Sequence, residues 1–337
     1  MDGAGIRSYS RTIHGLIAGW GRGAGPPAPP SVMELIDRLR QNEGVHSSEL
    51  RHPADHDSLP EAAHSAADHR HPWSRYVALG DSFTEGIGDP DESRPGYHRG
   101  WADRMAEELA IGTADFAYAN LAVRGKLIAQ IRDDQIAPAL DLAPDLITLC
   151  AGGNDVIRPG GDPDETARTL DTMMQMLATT GATLVLFTGP DVRETPVVGS
   201  VRGKVAIYNE NIRTVAARHD AVVADMWALR SLTRPEMWDE DRLHFSPLGH
   251  HTIAAMAMDA LNVEHDLEPL EPRPVPVRSW REARADDAVW ARHHLFPWVL
   301  RRLRGRSSGD GVTAKRPTYE PLFGGAMPPG GSAAHDD

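Results

Sequence analysis

Between about Ser74 and about Val263 the chain alternates apolar runs with helical patterns, and this rhythm restricts its architecture more than any other feature. Strand candidates stand at 75–80, 115–119, 145–151, 182–188 and 221–224. Strands in regular exchange with helices imply a parallel sheet covered by helices on both faces. The expected fold is therefore α/β: a flavodoxin-like three-layer α/β/α sandwich with a five-stranded parallel sheet. A strand order of 2-1-3-4-5 would make the carboxyl ends of the first and third strands neighbours. Open sheets gather their sites at such a point, where the order reverses.

Local signals support the helices. Asp162 can cap a helix whose first turn takes Pro163, with Glu165 completing a reciprocal capping box, and Leu170, Met173, Met174 and Leu177 then form a buried face. Ser246 followed by Pro247 reads as the cap and first turn of the last helix, which places His244 in the loop entering it. His250 and His251 fall inside that helix, as packing residues and not metal ligands.

The flanks read differently. Residues 1–72 form a leader expected to be flexible, with a Gly/Pro-rich piece and a run rich in His, Asp and Ala. Its histidines at 52, 56, 64, 69 and 71 lack partnered cysteines and regular spacing, so they read as solvated and not as a metal site. Residues 73–265 are expected to form one folded domain, the part that carries the strand and helix rhythm. Residues 266–310 are a C-terminal extension, and residues 311–337 a Gly/Pro tail expected to be disordered. Within the extension, the stretch from Val289 to Leu303 with Arg304 and Arg306 could pack on the domain, dock to a protein partner or touch an anionic membrane surface.

A formal charge of −13, from 35 basic and 48 acidic residues, argues against a nucleic-acid binder. The single cysteine, Cys150, precludes an intrachain disulfide and lies in an apolar strand candidate as a buried structural thiol. No run reaches the length of a membrane span and the amino-terminal segment does not read as a signal peptide, so the expected location is the cytoplasm.

Three polar clusters carry chemistry. The run from Tyr76 ends in Gly80-Asp81-Ser82, which delivers a serine to the end of the first strand as a candidate nucleophile. Gly152-Gly-Asn-Asp155 follows the third strand, and Asp241-Arg-Leu-His244 precedes the last helix. A serine hydroxyl is a poor nucleophile until a neutral imidazole removes its proton, and a tetrahedral intermediate needs donors aimed at its oxyanion. Taken singly, each cluster could be an ordinary turn or cap. Together they suggest hydrolysis or transfer of an ester.

With Asn120-Leu-Ala-Val-Arg-Gly125 added, the four blocks resemble those of the SGNH hydrolases of the GDSL esterase and lipase superfamily, in order and in spacing. Phe83 stands where the eponymous leucine often does. The resemblance implies that Ser82, His244 and Asp241 serve as nucleophile, base and orienting acid, with the oxyanion hole supplied by the amides of Ser82 and Gly125 and the side chain of Asn154. Asp81 and Asp155 are read as structural supports of their loops. Neither flank is covered by the pattern.

The reading is a serine esterase acting on a small-molecule carboxylic ester, preferentially with a small or medium acyl group, through an acyl-enzyme. No metal or other cofactor is needed. Gly86 and Gly88 lack the context of a nucleotide loop, and the serine lacks the Gly-x-Ser-x-Gly elbow of α/β-hydrolases. An acetyl-sugar or polysaccharide deacetylase is the alternative enzyme, and a noncatalytic binding or regulatory module on an esterase scaffold is the alternative class. Arg94, Arg124, Arg158 and Arg193 are candidates to meet an acidic or hydroxylated substrate, and Trp227, Met237 and Trp238 to line an acyl pocket.

Overall fold

Val77 and Leu79 point to one side of the first strand, Tyr76 and Ala78 to the other, and all four are buried. A strand with a period of two and no polar face needs cover on both sides, and the fold supplies it. The computed structural model describes residues 71–113, 115–195, 198–270, 289–290, 292–293 and 308–322.

The strands are β1 (Arg75–Gly80), β2 (Ala117–Asn120), β3 (Leu146–Cys150), β4 (Thr183–Phe187), β5 (Val222–Ala224) and β6 (Arg316–Pro321). Between them run α1 (Ser82–Glu85), α2 (Gly100–Ala110), α3 (Ile128–Asp141), α4 (Gly153–Val156), α5 (Pro163–Leu177), α6 (Arg202–Arg218) and α7 (Pro247–Ala260). Helices α3, α5 and α6 cover the face that carries Val77 and Leu79. Helices α2 and α7 cover the face of Tyr76 and Ala78. This is the expected three-layer sandwich.

The sheet order is β5-β4-β3-β1-β2-β6. The first five strands are parallel and take the expected order, with Tyr76 in register with both Tyr118 and Leu146. The sixth corrects the sequence reading. Residues Arg316–Pro321, assigned to a disordered tail, form an antiparallel edge strand against β2, so the sheet is six-stranded and mixed. Pro317 and Pro321 conceal the strand, because proline cannot donate to a ladder and is tolerated at an edge. Charged contacts hold it in place. The Lys315 ammonium, buried to 9% exposure, donates to the carbonyls of His98 and Arg99 at 2.8 Å each and pairs with Asp103 at 2.9 Å. Arg316 donates to the Tyr97 hydroxyl, which itself donates to Asp103.

The caps follow the sequence with one difference. Asp162 accepts from the amides of Asp164 and Glu165, and Ser246 from that of Gly249. The Glu165 carboxylate, however, pairs with Arg168 one turn on and does not close a capping box. Met173 and Met174 are core residues. Residues 1–70 lie outside the described residues, which leaves His71 as the one leader histidine in view. It is buried, stacked 5.5 Å from Trp73 and bonded to the Leu109 carbonyl, in contrast to the solvated reading. Among the described residues no helix is long and apolar enough to cross a membrane.

Candidate active site

The carboxyl end of β1 is built so that the next residues have one path. Gly80 takes a φ of +152°, and a Cβ there would lie 2.5 Å from both the Cys150 carbonyl and Thr84 Oγ1. Gln135, buried on the apolar face of α3, clamps the same residue by donating to its carbonyl at 2.8 Å and accepting from its amide at 2.9 Å. Asp81 then caps α1 by accepting from the Phe83 amide at 3.1 Å. Ser82 therefore leaves the sheet at a fixed point, half-buried.

Its hydroxyl lies 2.9 Å from Nε2 of His244, whose Nδ1 is 2.5 Å from Asp241 Oδ2. An ionised carboxylate only accepts, so Nδ1 carries the imidazole proton and Nε2 is left to accept from the serine. Asp241 has a second task inside its own loop: its Oδ1 accepts from the amides of Leu243 and His244, each at 2.9 Å. Burial pushes the Asp241 carboxyl up, but the hydrogen bond and charge of His244 and these two amides outweigh it and hold the group at about 2.

The third cluster reaches the same place. Asn154, on α4 beyond β3, donates through Nδ2 to Asp81 Oδ2 at 2.9 Å and to the Lys126 carbonyl at 3.1 Å. Asp155 accepts from the Ile128 amide at 2.9 Å and ties this loop to α3. Gly125 is buried and holds a φ of +73°, the left-handed region that favours glycine. The preceding residue, Arg124, is fixed by Glu85, which accepts from its amide at 2.6 Å and from its guanidinium. Burial, the largest effect on Asp81, raises its carboxyl to about 6 against the Phe83 amide, the charge of His244 and the Asn154 donor.

Ser82, Gly125, Asn154, Asp241 and His244 all line one pocket of about 840 Å³. Much of its wall is apolar, including Val156, Ile157, Val192, Val205, Phe187 and Trp238. Among the rim candidates, Arg124, Arg158 and Trp238 line it. Arg94 pairs instead with Asp91 and Arg193 with Asp191, Met237 lies in the core, and Trp227 sits beneath Arg202. His250 and His251 are structural, donating to or accepting from backbone groups of Ile87, Trp101 and Glu268.

The sequence reading missed Gln135, Glu85 and the contribution of the C-terminal extension. Gln135 had a signal, as a lone polar residue among Ile131, Ile136 and Ala139. Glu85 had none, because its partner lies 39 residues away. Trp290, His293 and Ser308 also line the pocket, from positions that no spacing rule connects to Ser82.

Such a polar series at the switch point of a doubly wound sheet is the layout of a hydrolase, and comparison with known proteins agrees. The chain belongs to the GDSL-like lipase/acylhydrolase family, whose model matches residues 78–252, slightly over half of the 337 residues. By that membership it is a GDSL-type hydrolase of the esterase and lipase class. All four sequence blocks fall inside the matched segment, and Trp290, Ser308 and β6 fall outside it. A curated relative, the uncharacterized protein YpmR of Bacillus subtilis (strain 168), is 34% identical over 86 residues, covering 24% of this chain and 32% of YpmR. The match thus spans about a third of that relative's length. Similar solved structures include a putative GDSL-like lipase from Parabacteroides merdae (TM-score 0.47, 18% identity, 56% of this chain and 95% of that one). The lipase/acylhydrolase from Enterococcus faecalis is another (TM-score 0.46, 20% identity, 59% and 98%).

Proposed function

We propose that this chain is a serine esterase that hydrolyses carboxylic esters of small-molecule substrates through an acyl-enzyme on Ser82. The observation that carries the reading is the unbroken series from Ser82 Oγ to His244 Nε2 at 2.9 Å and from His244 Nδ1 to Asp241 at 2.5 Å. As Oγ bonds to the acyl carbon, its proton passes to Nε2, and Asp241, ionised above about pH 2, stabilises the imidazolium. The tetrahedral oxyanion collapses, and the leaving alkoxide takes the proton from His244. Water then repeats the sequence: His244 accepts its proton, the hydroxide attacks the acyl carbon, and Ser82 leaves with the proton returned. The amides of Ser82 and Gly125 and the side chain of Asn154 serve as the oxyanion donors.

The pocket supports an acyl group larger than acetyl. Its volume of about 840 Å³ lies toward the upper end of the roughly 300–1,000 Å³ common for ligand sites. Its largely apolar wall suits a hydrocarbon chain better than a sugar, which needs paired polar groups. Medium-chain esters are therefore favoured over acetylated saccharides. The test is an organophosphonate followed by peptide mass analysis, beside a panel of short-chain, medium-chain and acetyl-sugar esters. Label on Ser82 and turnover lost in Ser82→Ala are expected. Label on another serine, with Ser82→Ala fully active, overturns the assignment, and a preference for acetyl-sugars overturns the substrate reading.

A further inference from the structure

The C-terminal extension reaches the site at two points, and at each it touches a backbone carbonyl. The Trp290 indole N–H donates to the Asp241 carbonyl at 3.1 Å, and Arg242 lies with its guanidinium 5.0 Å from the centre of the same ring. Gly309 is buried against Arg124: a Cβ built on it would sit 2.1 Å from the Arg124 carbonyl oxygen and 3.1 Å from Val123 Cγ1.

These carbonyls matter because a peptide unit is a rigid plane. The Arg124 C=O and the Gly125 N–H belong to one plane, so whatever fixes the direction of the first aims the second. The Asp241 carbonyl opens the short loop whose amides at Leu243 and His244 fold back on the Asp241 carboxylate. Holding that carbonyl holds acid and imidazole together. Glu85 grips Arg124 through its amide and guanidinium, and Gly309 lies against the carbonyl of the same residue.

The Gly309 contact is also well anchored. Val312 donates to the Gly309 carbonyl at 3.1 Å, and a few residues on Lys315 is buried on Asp103 and β6 joins the sheet. A strand at the sheet edge thus fixes a turn that presses on the peptide preceding Gly125.

We infer that Gly309 and Trp290 are positioning residues of the esterase site, Gly309 by aiming the Gly125 amide at the oxyanion and Trp290 by holding the Asp241–His244 loop. The inference rests on the proposed acyl-enzyme chemistry. It assigns a role in the reaction to a segment that lies outside residues 78–252, where the family match ends. A segment that only packed on the domain would contribute to stability and leave the rate of acylation alone.

The experiment uses the full-length chain with Gly309→Ala and Trp290→Phe, a medium-chain p-nitrophenyl ester and the phosphonate label. Gly309→Ala sets a methyl 2.1 Å from the Arg124 carbonyl oxygen, so the two backbones must part, and kcat should fall by about 10-fold or more, part of the roughly 10²–10³ that an oxyanion donor supplies. KM should change by less than about twofold, because the donor acts on the transition state. Trp290→Phe keeps an aromatic ring but removes the five-membered part of the indole with its N–H, so kcat should fall roughly 3- to 10-fold, the weight of one hydrogen bond. KM should again change little, because the loop acts on the chemical step and not on ground-state binding.

If Gly309→Ala does not fold, Trp290→Phe decides alone, because its half-exposed ring lies outside the core. Both variants at wild-type kcat, with Ser82 still labelled, overturn the inference. So does a raised KM at unchanged kcat, which would make these residues mere pocket wall. Absence of label on Ser82 in the unsubstituted protein counts against the esterase reading itself and is distinguishable from either result.

Discussion

The loop of Asp241 and His244 is bonded to Ser82 as it stands, whereas the loop of Asn154 is bonded to the scaffold. In the first, the hydrogen bonds run along the path the proton would take, from serine to imidazole to carboxylate. In the second, Nδ2 donates to Asp81 and to the Lys126 carbonyl, so stabilising an oxyanion requires Asn154 to share or exchange one of these bonds. Assembly explains the difference. The proposed acid and base, Asp241 and His244, lie three residues apart and fold as one turn, while the proposed donors come from separate loops after β1, β2 and β3. In the proposed reaction, proton transfer is then pre-arranged, and oxyanion stabilisation trades one hydrogen bond for another.

The comparison breaks first at the serine. Ser82→Ala removes the hydroxyl to which His244 is bonded and on which the proposed acyl-enzyme forms, and kcat should drop by about 10⁶, the scale found when a nucleophile of this kind is lost. Residual turnover near wild type in a folded variant would dissolve the site altogether. Asp241→Asn should come next, at about 10⁴, because an amide can present the wrong partner to Nδ1 and strand the proton on Nε2. In the unsubstituted protein Asp241 should keep its charge, and with it its hold on the imidazole, until the pH nears 2. A loss below about tenfold in Asp241→Asn would mean that the preassembled side is not the stronger one.

Asn154→Ala sharpens the other side. A fully preorganised donor is worth roughly 10²–10³ in kcat. One that must first leave Asp81 and Lys126 should sit at the lower end, about 10², with KM little changed. A loss at the upper end, measured in single turnovers, would show that the scaffold bonds cost nothing to exchange. In either case Asp81 loses a donor that lowers its pKa, so the carboxyl of the variant should titrate higher than that of the parent.

How much of this was legible depended on how far apart the cooperating residues lie. The parallel core was readable because Tyr76 to Leu79, buried on both faces, give an unbroken apolar run. Asp241 and His244 were readable because their offset of three is itself the geometry of a turn. Ser82, Gly125 and Asn154 followed from blocks whose order mirrors the order of strand ends. Glu85, Trp290 and Gly309 were not readable, since a carboxylate meeting an arginine 39 residues on, or a glycine fitted to a remote carbonyl, leaves no local periodicity. The sixth strand escaped for a related reason: two prolines argue against a strand unless the sheet edge awaiting it is already known.

The smallest effect expected concerns how firmly the scaffold holds Asn154. Burial, chiefly, raises the Asp81 carboxyl from its ordinary 3.8 to about 6, so the folded protein favours the protonated form. A group whose pKa is raised on folding contributes its full stabilisation below the unfolded value and loses it as the pH climbs through the folded one. Relative to Asp81→Asn, which does not titrate, the parent should therefore lose stability on going from about pH 5 to about pH 7, by on the order of 1 kcal/mol, and change little above that. Urea titrations of both proteins across this window read the difference directly. A parent that gained on the variant instead would mean that the Asn154 and Phe83 donors outweigh burial and hold Asp81 as a carboxylate. Asn154 would then be bound to a full negative charge, its release for the oxyanion would cost more, and the contrast between the two loops would be sharper than the neutral form of Asp81 implies.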